Sequence, residues 1–342
     1  MLKTAIVGCG FMGRMHANVY SALDNALLVG VVDHRPGALD PFAEEFGVQG
    51  YWSLANLLGK EEVDAIDVCL PSHLHKVAAI EAARAGKHVF CEKPMALTVE
   101  DADEMILECE KAGVRLMIGH CIRFWPEYAL LKKITDEGAL GNLLSINLTR
   151  YGEFPSWSSA NWLADEAKSG GGALDMHIHD TDFALYLLGE PKEMVSFGSV
   201  DSRGVGQIFT TMDYGSTVAH LEGGWNLPAR TPFRMAFRAI FERGAVIMES
   251  GPMTIYEEGK EPVQPEFDKM EAAGGGNISD LGGYYHELKY FADCIEDNAP
   301  FTVSTPASSR QSLATALEEI RQVKARADLS AQAVFSPPKA KM

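Results

Sequence analysis

The chain of 342 residues contains no apolar run long enough to span a bilayer, which excludes a membrane-spanning helix. Its six cysteines (Cys9, Cys69, Cys91, Cys109, Cys121 and Cys294) form no Cys-x-x-Cys pair, and four of them stand in or beside apolar, strand-like stretches. That is the usage of reduced thiols acting as small core residues in a cytoplasmic protein, not of a disulfide frame. Basic residues are outnumbered, 30 Lys and Arg against 47 Asp and Glu, for a net charge of −17. Such a balance argues against nucleic acid and anionic membranes as partners, and solubility accounts for it. The first strand-like residues begin at Thr4, leaving no room for a signal peptide. No internal repeat is visible, and the length calls for two domains.

What is present starts at the beginning of the chain. The apolar run Thr4–Val7 ends in Gly8-Cys9-Gly10-Phe11-Met12-Gly13, and Arg14–Leu23 then reads as a helix. In such a turn one glycine allows the tight bend, one lets the main chain approach a pyrophosphate, and one lets helix and strand touch. The helix start offers free N–H groups and a positive dipole end. The next apolar run, Leu27–Val32, ends in Asp33-His34-Arg35. A carboxylate about 20 residues beyond the last glycine is placed to hold an adenosine ribose diol. This favours NAD, while Arg35 keeps NADP open because an arginine nearby can accept a 2′-phosphate.

Strand and helix go on alternating to about residue 120, with strands at Ala65–Leu70, His88–Cys91 and Arg115–Ile118 and helices at Pro41–Phe46, Leu54–Leu58, His75–Ala85 and Val99–Ala112. The alternation predicts a doubly wound parallel sheet, whose ligands bind outside the carboxyl ends of the strands. Those ends are polar: Pro71-Ser72-His73-Leu74-His75 after Leu70, then Glu92-Lys93-Pro94, then His120 and Arg123. A second domain is expected over 121–342. It starts with a helix at Trp125–Glu137 and a strand at Leu143–Tyr151, and Ser169-Gly170-Gly171-Gly172 leads into a helix at Ala173–Leu188. Six strands follow between Met194 and Tyr256, where alternation predicts a large open, mainly antiparallel sheet with one covered face. Glu258–Asp280 reads as a mobile loop, Leu281–Asp297 and Ser308–Ala327 as closing helices, and the tail after about 331 as poorly ordered.

Asp175 and His179, four residues apart, share one face of the Gly-led helix, while His177 points elsewhere. Close to the helix start the dipole disfavours an imidazolium and Asp175 favours it, so His179 is expected near its ordinary pKa of about 6.5, suited to a general base. A metal reading of Asp175, His177 and His179 lacks a Cys partner or His-x-x-x-His spacing. Lys93, at a strand's carboxyl end, projects into the rim, and a cis Lys93–Pro94 bond would aim its ammonium into a cleft.

Taken together, Gly8–Gly13, Glu92-Lys93-Pro94 and Gly170-Gly171-Gly172-Ala173-Leu174-Asp175 with His179 resemble the Gfo/Idh/MocA oxidoreductases, over nearly the whole chain. The resemblance implies a Rossmann domain followed by an α/β domain that pairs through its open sheet into homodimers or homotetramers. It implies Lys93, Asp175 and His179 as the catalytic group. It also places Leu70, Pro71, Ser72, His75, Glu92 and His120 against the cofactor and Trp162 near the nicotinamide or substrate. Leu163 follows the Asn-Trp pair where many relatives carry an arginine. Arg123 at the rim and Tyr285, in an aromatic stretch suited to sugar stacking, join Lys93, Trp162, Asp175 and His179 as candidate substrate contacts. The chemistry implied is hydride transfer at a secondary alcohol of a sugar, cyclitol or related polyol. One alternative is a hydrolase or lyase using tightly held NAD as a transient oxidant. A nucleotide-binding sensor without chemistry would not need Lys93 and His179 together.

Overall fold

The computed structural model describes residues 1–268 and 281–335. Residues 269–280 of the loop expected at Glu258–Asp280 and the tail beyond Phe335 lie outside the described residues. Two compact units are present, one made of residues 1–133 and 266–313, the other of 134–265 and 314–342.

Short β-branched and aliphatic runs separated by helices build the first unit. Its strands are β1 (Leu2–Val7), β2 (Ala26–Val32), β3 (Gln49–Tyr51), β4 (Ala65–Val68), β5 (His88–Glu92) and β6 (Leu116–Gly119). They lie in the order β3-β2-β1-β4-β5-β6, and every pairing is parallel. The order reverses between β1 and β4, which opens the crevice where doubly wound sheets bind dinucleotides. The helices are α1 (Phe11–Ala22), α2 (Pro36–Phe46), α3 (Leu54–Leu58), α4 (His75–Arg84) and α5 (Val99–Ala112). Thr98 caps α5 through its hydroxyl, with Glu100 and Asp101 in the first turn, and Gly113 ends it in the left-handed region. β3 is an addition to the sequence reading: Gln-Gly-Tyr is too short and too polar to show a strand period.

A single cut near residue 120 does not describe the grouping, because a late helix belongs to the first unit. After α6 (Pro126–Asp136), α7 (Glu166–Ser169) and α8 (Ile178–Leu188) comes α9 (Gly282–Glu296), which covers α1 with the stripe Gly283, Glu287, Leu288, Phe291 and Ala292. Phe291 is fully buried and meets Phe90 edge-on, with ring centroids 5.5 Å apart. Burying a side chain of that size contributes about 1.5–3 kcal/mol, enough to fix which sheet the helix joins.

The second unit is built on β7 (Leu143–Glu153), β8 (Glu193–Asp201), β9 (Gly204–Asp213), β10 (Val218–Leu227), β11 (Arg234–Phe241), β12 (Gly244–Met248) and β13 (Thr254–Glu257). Their order is β13-β12-β11-β7-β10-β9-β8, antiparallel throughout except for the central β7–β10 pair. Ile146, Leu148, Ile208, Met212, Leu221 and Phe237 line the covered face. On the other face Phe197 stands opposite Phe209 and Val195 opposite Thr211, with Val195, Phe197, Phe209 and Val218 exposed. α10 (Pro306–Phe335) runs past the predicted end at Ala327. No described helix is long and apolar enough to cross a membrane. All six cysteines are buried and no disulfide forms.

Candidate active site

Because its six strands are parallel, the first unit presents all their carboxyl ends along one edge. At the end of β1, Gly8 has φ +112°, and a Cβ there would stand 2.4 Å from the Cys69 carbonyl oxygen. A Cβ on Gly13 would lie 2.0 Å from the Gly8 carbonyl oxygen. Gly10, the N-cap of α1, behaves differently: a Cβ on it meets nothing within 4 Å. The outer glycines close the turn and let helix and strand touch, and the middle one leaves bare main chain at a helix N-terminus, where unsatisfied N–H groups receive phosphate. Phe11 and Met12 begin that helix, with Phe11 exposed. The cradle fits a dinucleotide pyrophosphate.

Asp33 closes the end of β2 with its side chain 2% exposed. Its Oδ2 accepts the Cys9 N–H at 3.0 Å and its Oδ1 the Arg35 N–H at 2.9 Å. Arg35 also folds its side chain back, donating from Nε to Oδ1 at 2.9 Å and from Nη2 to Oδ2 at 2.6 Å. Burial pushes the carboxyl up, but the Arg35 guanidinium and the two main-chain donors outweigh it and hold the group below the usual carboxylate range. Asp33 is therefore an anionic acceptor at the strand end where dinucleotide-binding sheets of this kind carry the carboxylate for a ribose diol. His34 beside it is exposed.

The next two strand ends are tied to each other. Ser72 is buried, and His75 opens α4 with Nδ1 2.8 Å from the Pro94 carbonyl and Nε2 2.8 Å from the Leu70 carbonyl. Burial lowers the His75 pKa, so the neutral ring donates to one carbonyl at a time. Its side chain is a strut between the Leu70–Pro71 bend and the turn after β5. In that turn Lys93 is half-buried and the Lys93–Pro94 bond is cis. Glu92 turns inward, its Oε2 accepting the Lys93 N–H at 3.0 Å and its Oε1 standing 3.1 Å from His16 Nε2. His120 is buried after β6. Arg123 is also buried, donating from Nη1 to the Val303 carbonyl at 2.6 Å and to Ser308 Oγ at 2.9 Å, which makes it a brace for the chain after α9. Tyr285 is half-buried, its ring edge-on to His286 at 5.5 Å.

In the second unit the glycine run opens a π-helical turn, Ala173–His177, not an α-helix, and α8 follows directly. Such turns gather at functional sites. Gly172 is required by a close approach, since a Cβ there would stand 2.8 Å from Nε1 of the fully buried Trp225. Asp175, Met176 and His179 are the half-exposed positions of Ala173–Asp180. His177 is turned into the core, Nε2 3.2 Å from Glu319 Oε1, with the Thr181 hydroxyl donating to Glu319 Oε2 at 2.7 Å. Below it Arg150 Nη2 donates to Asp180 Oδ1 at 3.2 Å. Trp162 is half-buried on the short 3₁₀ turn Ser159–Ala164. Trp225 is fully buried in the core.

Two family models match this chain. One, an oxidoreductase family with an NAD-binding Rossmann fold, covers residues 2–120, and the other, the C-terminal domain of the same family, covers 128–247. The chain belongs to the Gfo/Idh/MocA oxidoreductase family. Among curated relatives it is 35% identical over 233 residues to 2,7-anhydro-N-acetylneuraminate hydratase of Escherichia coli, which covers 66% of this chain and 62% of that protein. It is 35% identical over 201 residues to myo-inositol 2-dehydrogenase of Thermotoga maritima, covering 58% and 59%. The chain thus spans about 60% of the length of these two relatives. Among solved structures, an Agrobacterium radiobacter oxidoreductase in complex with NAD+, L-tartaric acid and magnesium has the same fold, with a TM-score of 0.84 at 18% identity over 94% of this chain and 96% of that one.

The sequence singles out the glycines, Asp33 and the Lys93 turn, and its reading passes over His16, Asp67, Glu287 and Glu319. A signal for these was present: each is an ionisable residue inside an apolar run or stripe, as in Ala65-Ile66-Asp67-Val68.

Proposed function

We propose that this protein is an NAD-dependent oxidoreductase acting on a secondary alcohol, or the matching ketone, of a sugar, cyclitol or related polyol. The observation that carries the reading is the Lys93 turn, set on the same strand-end edge as the open glycine cradle and the anionic Asp33. Bound to that edge, the dinucleotide supplies the hydride acceptor. His179 takes the hydroxyl proton as general base. Lys93 hydrogen-bonds the same oxygen and steadies its developing negative charge, and Asp175 orients His179 or binds a neighbouring hydroxyl. Arg35 leaves NADP as a second cofactor. The exposed apolar residues of the open sheet support self-association into a dimer or tetramer. The test is a panel of polyols and keto-sugars assayed with both nucleotides for NADH or NADPH absorbance. No change with any of them counts against the reading.

The E. coli hydratase relative favours a second reading, in which tightly held NAD is oxidant and then reductant within one cycle of elimination or hydration. It predicts nucleotide that survives purification, and product formed from an anhydro-sugar without net NADH.

A further inference from the structure

Beneath the Lys93 turn the first unit buries more acid than its donors can pair. His16 of α1, Asp67 of β4, Glu92 of β5 and Glu287 of α9 face one another there, exposed by 0%, 1%, 4% and 0%. Tyr20, Cys69, Cys91 and Tyr284, the last against Cys121, also surround them, and His75 and Lys93 act on Glu92 from the turn side. The Tyr20 hydroxyl donates to Asp67 Oδ2 at 3.0 Å and the Cys69 thiol to Asp67 Oδ1 at 3.3 Å. Asp67 is thus an acceptor, and His16 Nδ1, 2.9 Å from Oδ2, is its donor. On the other side of the ring, His16 Nε2 and Glu92 Oε1 stand 3.1 Å apart, an ion pair whose angle falls short of a hydrogen bond.

Burial disfavours an imidazolium, but Asp67 and Cys69 outweigh it and hold the His16 pKa well above the ordinary value. Its two N–H groups face Asp67 and Glu92, which leaves none for Glu287. Neither Glu287 carboxyl oxygen has a hydrogen-bond partner, although one lies within 4.8 Å of the facing His16 and Glu92 atoms. An ionised Glu287 would be an unpaired buried charge beside an anion, and groups in that position keep their proton.

We propose that Glu287 is a neutral acid at working pH and a positioning residue for Lys93, acting through Glu92. The part played by Lys93 rests on the function proposed above. Neutral Glu287 leaves Glu92 as the anion held between the His16 imidazolium and the Lys93 N–H, and so fixes the main chain that carries the ammonium. Ionised Glu287 sets a second negative charge against Glu92 and loosens that turn. Burial first, and the Glu92 charge second, hold the Glu287 carboxyl well above the usual carboxylate range. The folded chain therefore binds this proton more tightly than the unfolded chain. Its stabilising contribution is full below the unfolded pKa of about 4.3 and is lost as pH rises toward the folded value.

The experiment compares wild type, Glu287→Gln and Glu287→Leu from about pH 5 to about pH 9 by thermal melting. It adds elemental analysis of the purified proteins, NAD affinity, and turnover on the polyol panel. Glu287→Gln, which keeps a neutral polar group and removes the ionisable one, is expected to melt above wild type at the alkaline end, with the gap closing toward acid. Both variants lack the charge that would press on Glu92, so both are expected to bind NAD normally and to hold kcat through the alkaline end, where wild type falls behind as Glu287 ionises. A Glu287→Gln protein that melts below wild type at the alkaline end, or wild type carrying one equivalent of a divalent metal, would mean an ionised, ion-holding Glu287 and overturn the proposal. A wild-type kcat that falls no faster toward alkaline pH than that of Glu287→Gln overturns the positioning role. Melting and metal content need no turnover, so an inactive wild type counts against the dehydrogenase reading while these two still judge Glu287.

Discussion

Arg35→Ala tests how the adenosine end of the cofactor is read. Arg35 now occupies both oxygens of Asp33, with Nε–Oδ1 at 2.9 Å and Nη2–Oδ2 at 2.6 Å, while Cys9 N–H and Arg35 N–H take further lone pairs. A ribose diol must displace the guanidinium to bind Asp33. The Arg35 side chain is 37% exposed, and ion pairs that open to solvent are worth about 0–1 kcal/mol. Its removal therefore strengthens NAD binding by at most about fivefold. A 2′-phosphate loses much more, because a hydrogen bond to a charged group contributes about 1.5–3 kcal/mol, or roughly 10- to 150-fold in NADP affinity. The ratio of NAD to NADP affinity is thus expected to rise by at least about tenfold, nearly all of it through weaker NADP binding. Isothermal titration of each nucleotide into wild type and Arg35→Ala measures this directly. An unchanged ratio, or tighter NADP binding, would refute the assignment of Arg35 as the phosphate partner.

Lys93→Ala and His179→Ala are each expected to keep the fold and NAD binding and to lose about 10²–10³ in kcat. Circular dichroism, nucleotide titration and steady-state kinetics check all three points, and turnover like wild type in either variant removes that residue from the chemistry. Gly172→Ala drives a Cβ to 2.8 Å from the buried Trp225 ring and is expected to cost about 1–3 kcal/mol in chemical denaturation. Gly10→Ala, with open space at its Cβ, is expected to leave stability unchanged and weaken NAD binding. Arg150→Met strips Asp180 of its buried partner and is expected to cost about 3–5 kcal/mol at neutral pH. Burial already raises the Asp180 pKa against the opposing pull of Arg150. The folded protein thus holds that proton more tightly than the unfolded chain, and the loss is expected to shrink as pH falls, which melts at acidic and neutral pH would show. Phe209→Glu, on the exposed sheet face, is expected to shift the protein to a smaller species in size-exclusion chromatography without lowering its melting temperature.

The first 120 residues were legible because their signals are local. Gly13 is dictated by a contact within one strand–turn–helix unit and Gly8 by its positive φ, Gly10 keeps the main chain of the helix start bare, and Asp33 stands at the end of the adjacent strand. The α-helical spacing assumed for Asp175 and His179 met a π turn instead. Gly172 must pass the buried Trp225 on β10, more than fifty residues later, and no local propensity records that encounter. His177 was rightly set apart from the Asp175–His179 face, but its partner Glu319 lies on α10, far beyond any sequence window.

By itself the sequence determined the parallel sheet with its glycine turn, the carboxylate at the end of β2, the lysine turn after β5 and the open, mainly antiparallel sheet, since each follows from residue period, backbone freedom or spacing over a few dozen positions. Only the tertiary structure decided which helix covers α1, which histidine is buried, and that Glu92 turns inward beneath Lys93 to meet His16 near Glu287. Those outcomes depend on how buried charge is shared among α1, β4, β5 and α9. Pairing inside a low-dielectric core depends on distance in space, which separation along the chain does not report.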